Sequence, residues 1–451
     1  MRCGLLAAVL LAGCQLTNPA VSRYEPSRLP VGDLTLSTWL PAGLDSFRFD
    51  AGDRQLLADI GFNHIEWLQE VRVGDSTAEE VAMSFAGDAG LGMPVYYPPP
   101  GFTREDKLRD FAVMDRVEPG FEAAVRERVA ALRLHWGEAP GFTGYLIGHE
   151  DYRARYYEAL GNMVRVLGQE DPRRPAISVG NIDHFPEVGR FLDALFTEGG
   201  PANIFQHEHY IFRDDVPASG RKLQKRLDAL VAGYGRLARY LQDRHGRWHA
   251  IVQVHSETRE GLGSGGPYYR KPTAGEISVQ VGLALSRGAS GIVYFLYSSG
   301  WEWIRDDDGH LVQERFYEGI VDRDGAPTAT YGAVEELNGR LAGLGPHLRD
   351  LHFHGGWEAG DLPDNDLVSA SDPDLELGLF GDGTTATHLL VVNRRSHRGR
   401  QVGLKLTGPA RDAVAGTSLP QVRGRTLLDL EPGGFRLLEV QRESPAPEAS
   451  Q

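Results

Sequence analysis

The chain has 451 residues, 41% of them hydrophobic and 24% charged, a balance ordinary for a globular protein. Its net charge of −15, with no basic stretch, excludes a protein that binds nucleic acid by neutralising phosphates. The length exceeds one ordinary domain and suits a barrel of roughly 250 residues or more plus a smaller module.

The first element is a short segment. Arg2 gives it a positive start, Leu5 to Leu11 an apolar core, and Leu11-Ala12-Gly13-Cys14 its close. This is the layout of a secretory signal, too short to span a bilayer as a helix. Both cysteines of the chain, Cys3 and Cys14, lie here, so no disulfide is expected in the mature protein. The closing four residues resemble the lipobox of bacterial lipoproteins. That resemblance implies a signal peptide over 1–13, a lipidated Cys14 and a lipid anchor in the cell envelope. Gln15 stands where an Asp would imply inner-membrane retention, which points to the outer membrane. Residues 14–31 are polar and proline-containing and read as a tether.

From there a rhythm of short apolar runs, loops and helical stretches begins. The runs are Leu34–Leu40, Phe62–Trp67, Met93–Tyr97, Phe142–Gly148, Ala176–Val179, Ile204–Tyr210, His249–Val254 and Gly291–Tyr297. Stretches with apolar residues at 3.6 spacing separate several of them: Gly120–Trp136, Tyr152–Leu167, Gln224–Gln242 and Ala274–Arg287. Eight strands alternating with helices predict an α/β fold, a (β/α)8 TIM barrel over 32–348. The alternative is an open doubly wound sheet, but no glycine-rich dinucleotide loop follows the first strand. A last helix, Thr328 to Leu344, is predicted to stop at Gly345-Pro346. Short strands between Gly, Asp and Pro then predict a C-terminal antiparallel β-sandwich over 349–441: Leu375–Phe380, His388–Asn393, Val402–Leu406, Thr426–Leu428 and Phe435–Val440. The tail 442–451 is polar and read as disordered.

In such barrels catalytic groups stand at the C-terminal strand ends. The fourth predicted strand ends His149-Glu150-Asp151, the sixth runs Gln206-His207-Glu208-His209-Tyr210, and the seventh runs Gln253-Val254-His255-Ser256-Glu257. Cleaving a glycosidic bond usually takes two carboxyl groups, one protonated for the leaving oxygen and one that attacks or activates water. Glu150 and Glu257 are the expected catalytic pair. Each is also readable as a solvated glutamate at a strand end.

Phe142–Asp151 resembles the fourth-strand segment of clan-A glycoside hydrolases, with Gly144, Tyr145, Gly148 and Glu150 matching. The resemblance implies that Glu150 is the general acid/base and that the residue before it, here His149, contacts the sugar. His149 and Asp151 depart from the usual residues. Ala284, Leu285, Gly288, Ala289, Gly291 and Ile292, then Asp322, Asp324, Gly325, Pro327, Thr328 and Leu337-Asn338, resemble the end of the same barrels. Val391–Arg394 and Glu431–Gly434 resemble the β-sandwich that often follows. On the seventh strand the resemblance is weak, so Glu257 stands either as nucleophile or as an accident.

Glu208 and Tyr210 share one face of their strand with Gln206 and are expected to bind substrate or tune the carboxyls. The further expected substrate contacts are His149, Gln253, His255, Trp39, Tyr96, Tyr297 and Trp301, where aromatic rings can pack against sugar C–H faces. The histidines lack metal-ligand spacing, so neither metal nor cofactor is expected. The reading is a glycoside hydrolase acting on an extracytoplasmic poly- or oligosaccharide, retaining, with two glutamates. The alternative is a carbohydrate-binding lipoprotein on a degenerate barrel. A third reading is a lyase or metal-assisted hydrolase using the histidines.

Overall fold

The computed structural model describes residues 29–30, 33–40, 47, 49–66, 72–73, 76–96, 120–150, 152, 154–196, 202–242, 244, 246–261, 266–305, 310–365 and 367–441. Cys14, Trp67, Tyr97, Asp151 and the tail 442–451 lie outside them.

Eight parallel strands form the main sheet: β1 Thr35–Trp39, β2 His64–Glu66, β3 Met93–Tyr96, β4 Phe142–His149, β5 Ala176–Gly180, β6 Asn203–Glu208, β7 Gly246–Gln253 and β8 Gly291–Phe295. Their order is β2-β1-β8-β7-β6-β5-β4-β3. A parallel bridge from His64 to Gly92 brings the two edges together, with Ile65 N–H donating to Gly92 O at 2.8 Å. That seam needs glycine, because a Cβ on Gly92 would stand 2.4 Å from the His64 ring. The fold is the predicted (β/α)8 barrel with a C-terminal β domain. Every predicted apolar run became one of these strands. Continuous burial carried the signal, since strands covered on both faces read as apolar runs rather than as alternation.

Among the described residues eight helices surround the barrel: α1 Ala51–Ile60, α2 Ala78–Ala89, α3 Phe121–Trp136, α4 Tyr157–Glu170, α5 Val188–Leu195, α6 Arg221–Leu241, α7 Ala274–Leu285 and α8 Tyr331–Arg349. They form where local chemistry starts and stops them. Asp50 caps α1 by accepting from Asp53 N–H, and Gly61 ends it in the left-handed conformation. α7 opens with a capping box between Thr273 and Glu276. α8 departs from expectation by running through Pro346 to Arg349. Leu344 and Leu348 are both buried, and their burial on the inner face outweighs the hydrogen bond that proline removes.

Two elements were not expected. The loops after β7 and β8 build a four-stranded antiparallel sheet beside the barrel mouth, in the order Gly266–Tyr269, Ser256–Gly261, Leu311–Glu318, Gly300–Arg305. The C-terminal domain, two antiparallel sheets over one apolar core, also takes in Leu29–Pro30, which pairs with Phe353 and His352. The last residues of the predicted tether therefore belong to this sheet. Arg394, almost wholly buried, joins the domain to the barrel by pairing with Glu376, Glu358 and Asp228 of α6.

Candidate active site

At the C-terminal strand ends a cavity of about 360 Å³ is lined by Trp39, His149, Glu150, Glu208, Tyr210, His255 and Glu257 together with Arg259, Tyr269, Phe295, Glu302, Arg315 and Tyr317. The barrel supplies the floor, and the loop sheet supplies the wall holding Glu257, Arg259, Glu302, Arg315 and Tyr317.

Glu150 follows the last residue of β4 and has φ +53°, a left-handed conformation that costs a non-glycine residue strain. Its N–H donates to Val179 O at 2.9 Å, which fixes the turn. The carboxyl group of Glu150 is in hydrogen-bond contact with that of Glu208, at the end of β6. Tyr152 touches both, its hydroxyl donating to Glu150 Oε1 at 3.5 Å, and it accepts from Asn181 N–H at 3.1 Å. Two touching carboxyls repel when both ionise, which favours one proton shared between them. Glu208 is the more enclosed. Burial and the neighbouring charge of Glu150 push it well above the ordinary carboxylate range. At Glu150 burial also opposes ionisation, but the hydrogen bond from Glu208 and the nearby His149 and His184 outweigh it and bring it below that range.

Glu257 is not on β7 itself but on the following strand Ser256–Gly261, where it pairs with Tyr317. It faces the same cavity, almost wholly buried. Its carboxylate is ion-paired with Arg259 Nε and lies 3.8 Å from Arg315 Nε. Arg315 also pairs with Glu302 at 3.5 Å, and Tyr317 donates to Glu302 at 2.9 Å. The carboxyl that meets Glu150 is thus Glu208, while Glu257 belongs to an alternating chain of acids and arginines.

The remaining expected contacts divide. The His149 ring stands edge-on to Trp39 at 5.8 Å, and burial holds His149 below its ordinary pKa. His255 Nδ1 donates to Phe295 O at 2.9 Å; a carbonyl only accepts, so Nε2 is left as an acceptor in the neutral ring. Burial lowers His255 to about 4. Tyr210 packs edge-on against His255 at 5.0 Å. Four expected contacts do not line the cavity. Gln253 is buried and clamps the loop after β6, accepting from Phe212 N–H at 2.9 Å and donating to Phe212 O at 3.1 Å. Tyr297 is buried against Phe47, ring centroids 5.7 Å apart. Trp301 packs on Phe316 at 5.1 Å. Tyr96 packs against the cluster inside the barrel.

Sequence reasoning missed Tyr152, Arg259, Glu302, Arg315, Tyr317 and Glu66. The period-two placement of Gln313, Arg315 and Tyr317 was the available signal for the wall. Glu66, ending β2 inside the barrel, accepts from Ser37 Oγ at 3.1 Å and Gln206 Nε2 at 3.0 Å. Burial raises it to about 7 against those two hydrogen bonds. His207 turns to the helix side, its ring 5.5 Å from Tyr234 of α6. Among the described residues no three His, Cys, Asp or Glu side chains converge as a metal site would require. A second cavity, of about 300 Å³, lies between α8 and the C-terminal domain. The ion pairs Arg340–Glu431 and Arg436–Asp412 that line it close on each other at 2.8 and 3.1 Å, away from the strand ends.

No known family profile and no curated protein sequence matches the chain. Among solved structures it is similar to a GH27 β-L-arabinopyranosidase from Geobacillus stearothermophilus. The wild-type enzyme superposes with a TM-score of 0.50 at 11% identity, covering 93% of this chain and 98% of that one. A variant of that enzyme in complex with arabinose gives a TM-score of 0.51, again at 11% identity, covering 92% and 98%. A β-galactosidase from the psychrophilic Marinomonas ef1 gives 0.50 at 11% identity, covering 70% of this chain and 62% of that one. At these identities the likeness is one of fold: a (β/α)8 barrel followed by a β domain, an architecture this chain shares with glycoside hydrolases.

Proposed function

We propose that this protein is a retaining glycoside hydrolase acting on a poly- or oligosaccharide outside the cytoplasm, lipid-anchored through Cys14 to the cell envelope, at the outer membrane. The observation that carries the reading is that the carboxyls of Glu150 and Glu208 meet in a cavity walled by aromatic rings. Glu150 is the more exposed member and hands the shared proton to the leaving oxygen; Glu208 returns the pair to its resting state. Trp39 and Tyr210 offer ring faces to the sugar, and His149 and His255 offer ring nitrogens. Glu257, which lines the same cavity beside Arg259 and Arg315, is assigned as the nucleophile that retention requires.

A sugar-binding protein is the second reading, favoured by the fact that both Glu150 and Glu257 already have partners in the cavity. Screening a polysaccharide panel for released reducing ends separates the two. The hydrolase releases them, and Glu150→Gln lowers the rate by about 10²–10⁴-fold while sugar binding persists, because the amide is nearly isosteric but has no proton to give. Binding without release, or a Glu150→Gln variant of full activity on an unactivated glycan, contradicts the proposal.

A further inference from the structure

We propose that a third cavity, between α6 and the C-terminal domain, binds a tetrahedral oxyanion: phosphate or sulfate, free or as a monoester on a sugar. The inference is independent of the hydrolase reading and holds whether or not the barrel cavity cleaves glycans.

This cavity, of about 220 Å³, is lined on one side by the first turns of α6 from Gly220 onward. On the other side stands the turn Arg394–His397, between the strands Ala386–Asn393 and Arg400–Leu406 of the C-terminal domain. Two separate features ask for an anion. The first is the helix start. Gly220 caps α6 without a side-chain acceptor, so the N–H groups of the first turn, which have no partner inside a helix, are left open. The dipole of a 21-residue helix adds positive charge at that end. The second is a pair of buried donors in the facing turn. Ser396 is 3% exposed, and its hydroxyl has no hydrogen-bond partner. Arg394, 1% exposed, turns its two Nη groups to Asp228, Glu358 and Glu376 and leaves Nε without a partner. The turn is held against the barrel, because a Cβ on Gly275 in the first turn of α7 would stand 2.0 Å from Ser396 O.

The charge around the cavity agrees with the donors. Arg221, Arg394 and Arg395 line it with His397, on a protein whose net charge is −15. Asp374 is the one acid among the described lining residues, and Arg395 engages it, its Nε donating at 3.0 Å. A guanidinium and a backbone N–H only donate, and a serine hydroxyl can. The ligand that answers them offers several acceptor oxygens and negative charge, as phosphate and sulfate do. A cation would meet three arginines, and a neutral hydroxyl would leave most of the donors unanswered. In a (β/α)8 barrel each helix starts on the side where the strands end. The site therefore opens on the same side of the barrel as the catalytic cavity, where an ester group on a glycan is one source of the anion.

Isothermal titration of the whole protein with inorganic phosphate, and separately with sulfate, at constant ionic strength tests the site. Saturable one-to-one binding is expected. It should weaken by at least about tenfold in the double variant Arg221→Gln/Ser396→Ala, which removes a charge and a buried donor. Should that variant fold poorly, Arg221→Gln alone, at an exposed position, reads the loss of the charge. Arg259→Gln, in the wall of the barrel cavity, should bind as the wild type does. Glucose 6-phosphate and glucose 6-sulfate separate the sources: tighter binding than the free ion assigns the site to a sugar ester, and equal or weaker binding assigns it to the free ion. No saturable binding, or binding unchanged by loss of Arg221 and Ser396, overturns the proposal, as does binding that disappears only in Arg259→Gln.

Discussion

At the scale of single residues, the barrel holds more acid than its sequence pattern discloses. Glu66 lies on the interior face among Ser37 and Gln206, almost wholly buried, and is raised from an ordinary 4.5 to about 7. The folded state therefore binds a proton that the unfolded chain has released between those pH values. The stability this contributes is fully present below 4.5 and is lost as pH rises to about 7, a decline of about 3 kcal/mol. Glu66→Gln, which keeps the hydrogen-bonding shape without the titration, should flatten that decline. Chemical denaturation of both proteins at pH 4.5, 6 and 7.5 reads the difference, and parallel curves would show that Glu66 is not the titrating group.

At the scale of elements, what was legible in the sequence was what repeats. Strands such as Phe142–His149 and Gly291–Phe295 are buried on both faces and announce themselves as apolar runs; Glu150 and Glu208 followed from reading only the ends of those runs. The loop sheet did not announce itself. Its strands mix Arg, Glu and Trp because one face meets the cavity and the other water, and its pairing joins Ser256–Gly261 to Leu311–Glu318 across β8, a separation that no local pattern encodes. This is why Glu257 was read as the end of a barrel strand and why its arginine partners went unseen. The start of α7 carries a local signal, the Thr-x-x-Glu of Thr273 and Glu276. Thr273→Ala should lower stability by about 1 kcal/mol through loss of the bond to Glu276 N–H. Thermal unfolding tests this, and an unchanged midpoint would mean that the Arg270–Glu276 ion pair alone fixes the turn.

At the scale of the whole molecule, the barrel and the C-terminal domain are joined by buried charge. Arg394 meets acids of both, and Glu376 is shared with Arg287 at the end of α7. Leu29–Pro30 adds the N-terminal segment to the sheet of the C-terminal domain that packs on the barrel, so any anchor at Cys14 is separated from the folded body by residues 15–28, a reach of about 50 Å fully extended. Cys14→Ser should move the protein from the membrane to the soluble fraction of the envelope. Wild-type protein found wholly soluble with an unmodified N-terminus would remove the anchor. The claim on which the chemistry depends is that Glu150 and Glu208 share one proton, and the direct measurement is a ¹³C titration of the glutamate carboxyls in the wild type, Glu150→Gln and Glu208→Gln. One carboxyl should stay protonated well above the ordinary carboxylate range, vanish in Glu208→Gln, and titrate lower in Glu150→Gln once its charged neighbour is gone. Two carboxyls that titrate independently in the ordinary range, each indifferent to loss of the other, would contradict it.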